Sequence, residues 1–169
     1  DLDGKLDIVV TTDGGLGHFP NYDIGIYCYT IENNAPKLLA QHIIQNGAPQ
    51  RLTWSFCSIA TIQYNKSKNI MDIFVSMAGQ NQNQIMSFSY DGTTTLKVNW
   101  TFPIFDRISI LGCPIFDFDN DGNFELLHRD ETTFRVISFI NDIPRVLFSF
   151  NCSSNTASEY PLIGDFDNS

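Results

Sequence analysis

Long hydrophobic runs are missing from this chain of 169 residues. Nowhere do about 18 apolar residues follow one another, so no segment reads as a membrane-spanning helix. Basic residues are also few: 10 Lys and Arg stand against 19 Asp and Glu, scattered without a patch, which argues against a nucleic-acid partner. Asp1-Leu2-Asp3-Gly4 has neither the basic start nor the apolar stretch of a signal peptide. The four cysteines, Cys28, Cys57, Cys113 and Cys152, contain no CxxC pair, which argues against a zinc site and leaves buried thiols or one or two disulfides. Gly14-Gly15-Leu16-Gly17-His18 runs into Phe19-Pro20 where a phosphate loop needs a helix carrying Lys-Ser/Thr. His18, His42 and His128 share no spacing and read as loop or surface residues. No nucleophile is marked by a strained turn. The carboxylates that could serve as acid and base are better explained as metal ligands. The expectation is a protein that is not an enzyme.

What is present is acidity in a few places. The net charge is −9. Asp1, Asp3 and Asp7 form one cluster, Asp117, Asp119, Asp121 and Glu125 a second, and Asp165 and Asp167 a third. Outside them acids and bases are level at 10 each. Like charges packed so closely repel unless a cation holds them.

Short apolar or alternating runs fill the rest, rich in β-branched and aromatic residues and broken by Gly, Asn, Asp and Pro. Strands are expected at 6–10, 24–29, 59–62, 72–75, 85–90, 94–101, 114–118, 124–127, 134–139 and 145–150. Asp91-Gly92 and Asn141-Asp142 read as hairpin turns. Residues 35–44 fit a helix or a strand about equally. The fold class is all-β.

The runs also repeat. Asp7-Ile8-Val9-Val10, Asp72-Ile73-Phe74-Val75 and Glu125-Leu126-Leu127 each place an acid before an apolar strand, at intervals of 65 and 53 residues. A period of roughly 50–60 with about four strands per unit is what propeller blades show. A β-sandwich would explain the strands but not the recurring acid.

Asp117-Phe118-Asp119-Asn120-Asp121-Gly122-Asn123-Phe124-Glu125 is the most specific feature. Oxygens at alternate positions turn inward when a backbone curls around a hard cation, and Gly122 permits the reversal. Asp117, Asp119 and Asp121, the carbonyl of Asn123 and the carboxylate of Glu125 make a ligand set that suits Ca2+ better than Mg2+, which demands a strict octahedron. An EF-hand needs Glu at position 12, where this chain has His128.

An apolar strand, Asp-x-Asp-x-Asp-Gly-x-x-Asp/Glu and a second apolar strand resemble the FG-GAP (VCBS) repeat of integrin α-subunit propellers and many secreted proteins. Asp1, Asp3, Lys5 and Asp7 fit that template at positions 3, 5, 7 and 9, and Asp165 and Asp167 fit its opening. The middle copy, residues 62–72, keeps Asp72, replaces the other acids with Gln63, Asn65 and Ser67, and is one residue longer. The resemblance implies blades of about four antiparallel strands over 1–56, 57–111 and 112–161, with a further blade starting at 162–169. The matching register at both ends leads us to expect a piece of a larger propeller.

The resemblance further implies a calcium-binding extracellular module, acting as scaffold or in protein or carbohydrate binding and adhesion. It places partners on the face opposite the calcium loops, over 12–22, 45–56, 78–83, 102–112 and 151–161, with His18, Phe19, Tyr22 and Trp54 foremost. The other function class it suggests is a calcium-dependent secreted polysaccharide lyase or hydrolase, but no Lys, Arg or carboxylate pair converges in the sequence. Asn65-Lys66-Ser67, Asn99-Trp100-Thr101 and Asn151-Cys152-Ser153 match the N-glycosylation acceptor pattern and, with the cysteines, point to a secretory compartment or an ectodomain.

Overall fold

The computed structural model describes residues 7–12, 24–45, 56–57, 60–65, 68, 70–78, 83–90, 92–104, 113–130 and 132–152. Twelve strands run through them: β1 (Asp7–Thr12), β2 (Ile24–Glu32), β3 (Ala35–Gln45), β4 (Phe56–Cys57), β5 (Thr61–Asn65), β6 (Ile70–Ala78), β7 (Gln84–Ser89), β8 (Lys97–Pro103), β9 (Ile115–Phe116), β10 (Glu125–Arg129), β11 (Thr133–Ser138) and β12 (Arg145–Asn151). The described residues hold no α-helix, only a short 3-10 turn at Ile140–Asp142. The protein is all-β.

The strands form three antiparallel sheets in chain order: β1-β2-β3, then β4-β6-β7-β8 with β5 also on β6, then β9-β10-β11-β12. With β5 beside β4 on β6, strands that follow one another in the chain lie side by side in each sheet. Asn33 and Asn34, at φ 51° and 61°, make the β2–β3 reversal, and Asn141 and Asp142, at φ 55° and 61°, the β11–β12 reversal. Paired left-handed residues twist a hairpin with its strands, and Asn and Asp tolerate that conformation best after Gly.

Residues 35–44, ambiguous in the sequence, are strand. Their backbone groups are taken up by β2 from Ile24↔Gln45 to Glu32↔Ala35, with a bulge at Cys28/Tyr29. Pairing over that length outweighs the modest helix propensity of Leu, Lys and Gln.

The middle sheet is covered on both faces. Ile73, Val75, Met86, Phe88 and Leu96 pack with Ile26, Cys28 and Ala40 of the first sheet. Phe74, Ile85 and Trp100 pack with Leu126, Ile137 and Cys113 of the third. Successive side chains of β6 thus serve two different cores, which is why Ile73, Phe74 and Val75 are apolar in unbroken succession where β1 alternates between half-buried and exposed. Phe74 and Phe88 are 1% and 0% exposed, and each such side chain contributes about 1.5–3 kcal/mol by leaving water.

One position recurs in all three sheets. Asp7 stands opposite Thr30, Asp72 opposite Ser89 and Glu125 opposite Ser138. Each sheet thus has an acid at or near the start of a strand, facing a hydroxyl residue of the next. Asp72 and Glu125 are 2% exposed, and Thr30, Ser89 and Ser138 are buried beside them. Two of the three acids seen in the sequence before an apolar run, Asp72 and Glu125, are interior groups, and Asp7 is half-buried.

Candidate metal centre

The acidic loop joins β9 to β10. The β9 ladder stops at Phe116↔Glu125, because Phe118 N–H donates to the Glu125 carboxylate (2.9 Å) where a strand would donate to a carbonyl. The expected strand at 114–118 therefore shrinks to two residues. The turn beyond is built by its own acids. Asp117 accepts from the N–H groups of Asp121 (3.1 Å) and Gly122 (3.0 Å) through its two oxygens, and Asp119 accepts from Asp121 N–H (3.3 Å). Gly122 sits at φ 87° with open space where a Cβ would be, so conformation and not crowding requires glycine there. Asn120 takes the other left-handed position at φ 57°.

This folding gathers Asp117, Asp119 and Glu125, with one carboxylate oxygen of each lying within 4.8 Å of the others. Glu125 is buried, Asp117 half-buried and Asp119 exposed, so the group opens toward solvent on one side. Burial pushes the Glu125 carboxyl above the usual range; the Phe118 N–H opposes this, and the charges of Asp119, Asp121 and Asp117 add to the rise. At such separations like charges repel by about 1 kcal/mol per pair even at the dielectric of water. Three hard, anionic oxygens converging from one loop with one open side are a donor set that suits a calcium ion, which tolerates variable angles and completes its shell with water.

Asp121 stands apart from this group. Its carboxylate is turned onto Asn123, accepting from the backbone N–H (2.7 Å) and the side-chain amide (3.0 Å). The Asn123 N–H, and then its amide, hold the Asp121 carboxyl below its usual value. Of the five expected ligand residues in this loop, three are assembled and two are bonded to each other.

The other expected ligands fall elsewhere. Asp1, Asp3, Lys5, Asp165 and Asp167 lie outside the described residues, as do the loop residues His18, Phe19, Tyr22 and Trp54 expected to contact partners. Asp7 opens β1, half-buried.

In the middle sheet the acid is satisfied differently. Asp72 accepts from the amides of Asn65 (2.7 Å) and Asn99 (3.3 Å), and Asn99 is held in turn by Ser89 (2.9 Å) and Ser87 (3.3 Å). Burial raises the Asp72 carboxyl, and the Asn65 bond opposes this. Lys68, in the same turn, pairs with Asp142 of the third sheet. The spacing reading is corrected here. Gln63 is paired with Asp72 as Phe116 is with Glu125, so Tyr64 and not Gln63 occupies the place of Asp117, and the middle hairpin is no longer than the acidic one.

Two further groups were misread in the sequence. His128 is 1% exposed, not a surface residue, and neither ring nitrogen has a hydrogen-bond partner among the described residues. Burial pulls its pKa from 6.5 down to about 4, against the Asp130 charge, with Arg135 adding to the fall. His42 is half-buried with its ring 5.0 Å from that of Phe88. Cys28, Cys113 and Cys152 are free thiols, the first two buried. Burial pushes Cys28 up to about 11 and Cys113 up to about 12, so neither is a nucleophile at neutral pH.

The fold and loop define an all-β protein of three stacked antiparallel sheets carrying one assembled acidic cluster among the described residues. Comparison with protein-family models, curated proteins and solved structures gave no match.

Proposed function

We propose that this chain is a calcium-binding β-propeller segment of an extracellular protein, serving as a scaffold for binding and adhesion, and that it carries no catalytic activity. The convergence of Asp117, Asp119 and Glu125 within 4.8 Å carries the reading. Three anionic oxygens, one on a buried glutamate, are unfavourable together without a cation.

Blade architecture is supported by the stacking of the sheets in chain order and by the acid–hydroxyl pair at the same place in each. A two-layer sandwich has no middle sheet with both faces in a core, and this chain has one. Bound calcium supplies charge neutralisation to the loop. The chain's own residues do the rest: Gly122 and Asn120 reverse the backbone, Asp117 and Asp119 fix the turn through N–H groups, and Glu125 anchors it to β10. The partner is a protein or glycan, bound on the face away from this loop.

Calorimetric titration of the metal-free chain with calcium tests the reading. It should show saturable binding at the loop, lost in Asp119→Asn and in Glu125→Gln. Absence of binding, or binding unchanged in both variants, would overturn it. Magnesium should bind more weakly, since the loop offers no octahedral cage.

A further inference from the structure

We propose that Asn151 is the carbohydrate attachment site of this protein, and that the acceptor patterns at Asn65 and Asn99 are structural. The proposal rests on the extracellular reading above. The three tripeptides are equivalent in sequence, each Asn-x-Ser/Thr without proline. Their surroundings differ.

The transferred sugar replaces one hydrogen of the side-chain amide nitrogen, so that nitrogen must stand at the surface with room beside it. At Asn65 it donates to Asp72 (2.7 Å), while the carbonyl oxygen accepts from Lys68 N–H (3.2 Å). At Asn99 it is shared between Asp72 and Ser87, both at 3.3 Å, and the oxygen accepts from the Ser89 hydroxyl at 2.9 Å. Both asparagines are half-buried in β5 and β8. A glycan on Asn99 would cost one of the two bonds its nitrogen makes, and on either asparagine it would have to grow from an amide packed against a carboxylate that is only 2% exposed.

Asn151 is the opposite case. It ends β12, the outer strand of the third sheet, in which all seven residues are exposed. Its side chain makes no hydrogen bond among the described residues. It pairs with Thr133 in the ladder, and alternation puts it on the face away from Phe148 and Phe150, so a sugar here leaves the aromatic face clear. A bulky hydrophilic group there would also shield an exposed edge from pairing with another chain, a liability that natural sheets manage by such devices.

The chemistry is a transfer from a lipid-linked, diphosphate-activated oligosaccharide. The Asn151 amide nitrogen bonds to the anomeric carbon, the bond from that carbon to phosphate breaks, the lipid diphosphate leaves, and the amide proton passes to a base of the transferase.

The test is expression of the chain behind a cleavable secretion leader in a eukaryotic cell, followed by glycopeptide mass spectrometry of the secreted protein. Occupancy at Asn151 alone is expected. Asn151→Gln and Ser153→Ala should each remove the mass increment released by peptide N-glycosidase. Ser67→Ala and Thr101→Ala, which abolish the other two patterns without touching the amides, should leave it unchanged. Secreted protein with an empty Asn151, or with sugar at Asn65 or Asn99, would overturn the proposal. If every chain were retained in the cell, the extracellular reading would fail, and occupancy of the natively folded luminal fraction would decide the proposal in the same way.

Discussion

The side-chain amide of Asn65 lies 2.7 Å from the carboxylate of Asp72, on the acid that occupies in the middle sheet the place Glu125 occupies in the third. Two acids at one structural position are thus served by different means: Asp72 by the amides of Asn65 and Asn99, Glu125 by a backbone N–H and the neighbourhood of two aspartates. Replacing Asn65 or Asn99 with Ala should cost about 1–3 kcal/mol each, the loss expected when a buried polar group loses a partner. Urea unfolding should report these losses, and they should be the same with calcium and with chelator, because the partners of Asp72 are amides.

A second prediction concerns acid stability. The His128 pKa is depressed in the folded protein to about 4 from 6.5, so the unfolded chain takes up a proton first as pH falls. Above pH 6.5 the residue is neutral in both states and adds no pH dependence. Stability should be lost between about pH 6.5 and 4 and then level off, by about 3 kcal/mol for a shift of this size. The groups acting on it are the Asp130 and Arg135 charges, which form an ion pair with each other. His128→Val, which installs the residue type of Val75 at the equivalent place in β6, should flatten this part of the pH–stability curve even if the variant is less stable at pH 7. An unchanged slope would refute the assignment.

Calcium affinity should itself depend on pH through Glu125. Burial and the neighbouring aspartates raise its pKa without metal, so protons compete with the cation at a higher pH than for an ordinary carboxylate. Titrations at successively lower pH should show affinity falling before the usual glutamate range is reached. Asp121 contributes oppositely: its bonds to Asn123 favour the charged form, and Asn123→Ala, which removes the side-chain amide but keeps the backbone N–H, should release one oxygen of that carboxylate and strengthen calcium binding.

Gly122→Ala isolates the backbone. A Cβ meets nothing within 4 Å, so only the left-handed conformation at φ 87° resists it, at a cost of roughly 1–2 kcal/mol. Thermal melting should show this loss, accompanied by weaker calcium binding as the loop relaxes away from the curled form.

The β class was legible because short, β-branched runs between turn residues carry their own register. Strand ends were not, since they depend on partners distant in sequence. The strand expected to begin at Thr94 begins at Lys97, because residues 94–96 turn aside to β3: Gln41 N–H bonds to Thr94 O and Leu96 N–H to Gln41 O, both at 3.2 Å. The Asn33-Asn34 turn went unread among turns carrying Gly or Asp, although two successive Asn residues favour the same left-handed pair. At the site, alternate spacing found Asp117, Asp119 and Glu125, but nothing in the sequence shows that Asp121 turns to Asn123. The burial of His128 had a signal: it stands two residues after Leu126, on the face of β10 that alternation sends into the core.

The central claim is that the loop from residue 117 to 125 holds a structural calcium ion. Thermal melting of the unmodified chain in calcium and in chelator, beside Asp119→Ala, tests it most directly. An ion at 100 times its dissociation constant stabilises a fold by about 2.7 kcal/mol, which for a chain of this size raises the melting temperature by roughly 5–10 °C. The account predicts that rise for the unmodified protein, and a lower melting temperature in calcium with little further effect of chelator for Asp119→Ala. Superimposable curves of the unmodified protein in calcium and in chelator would contradict it.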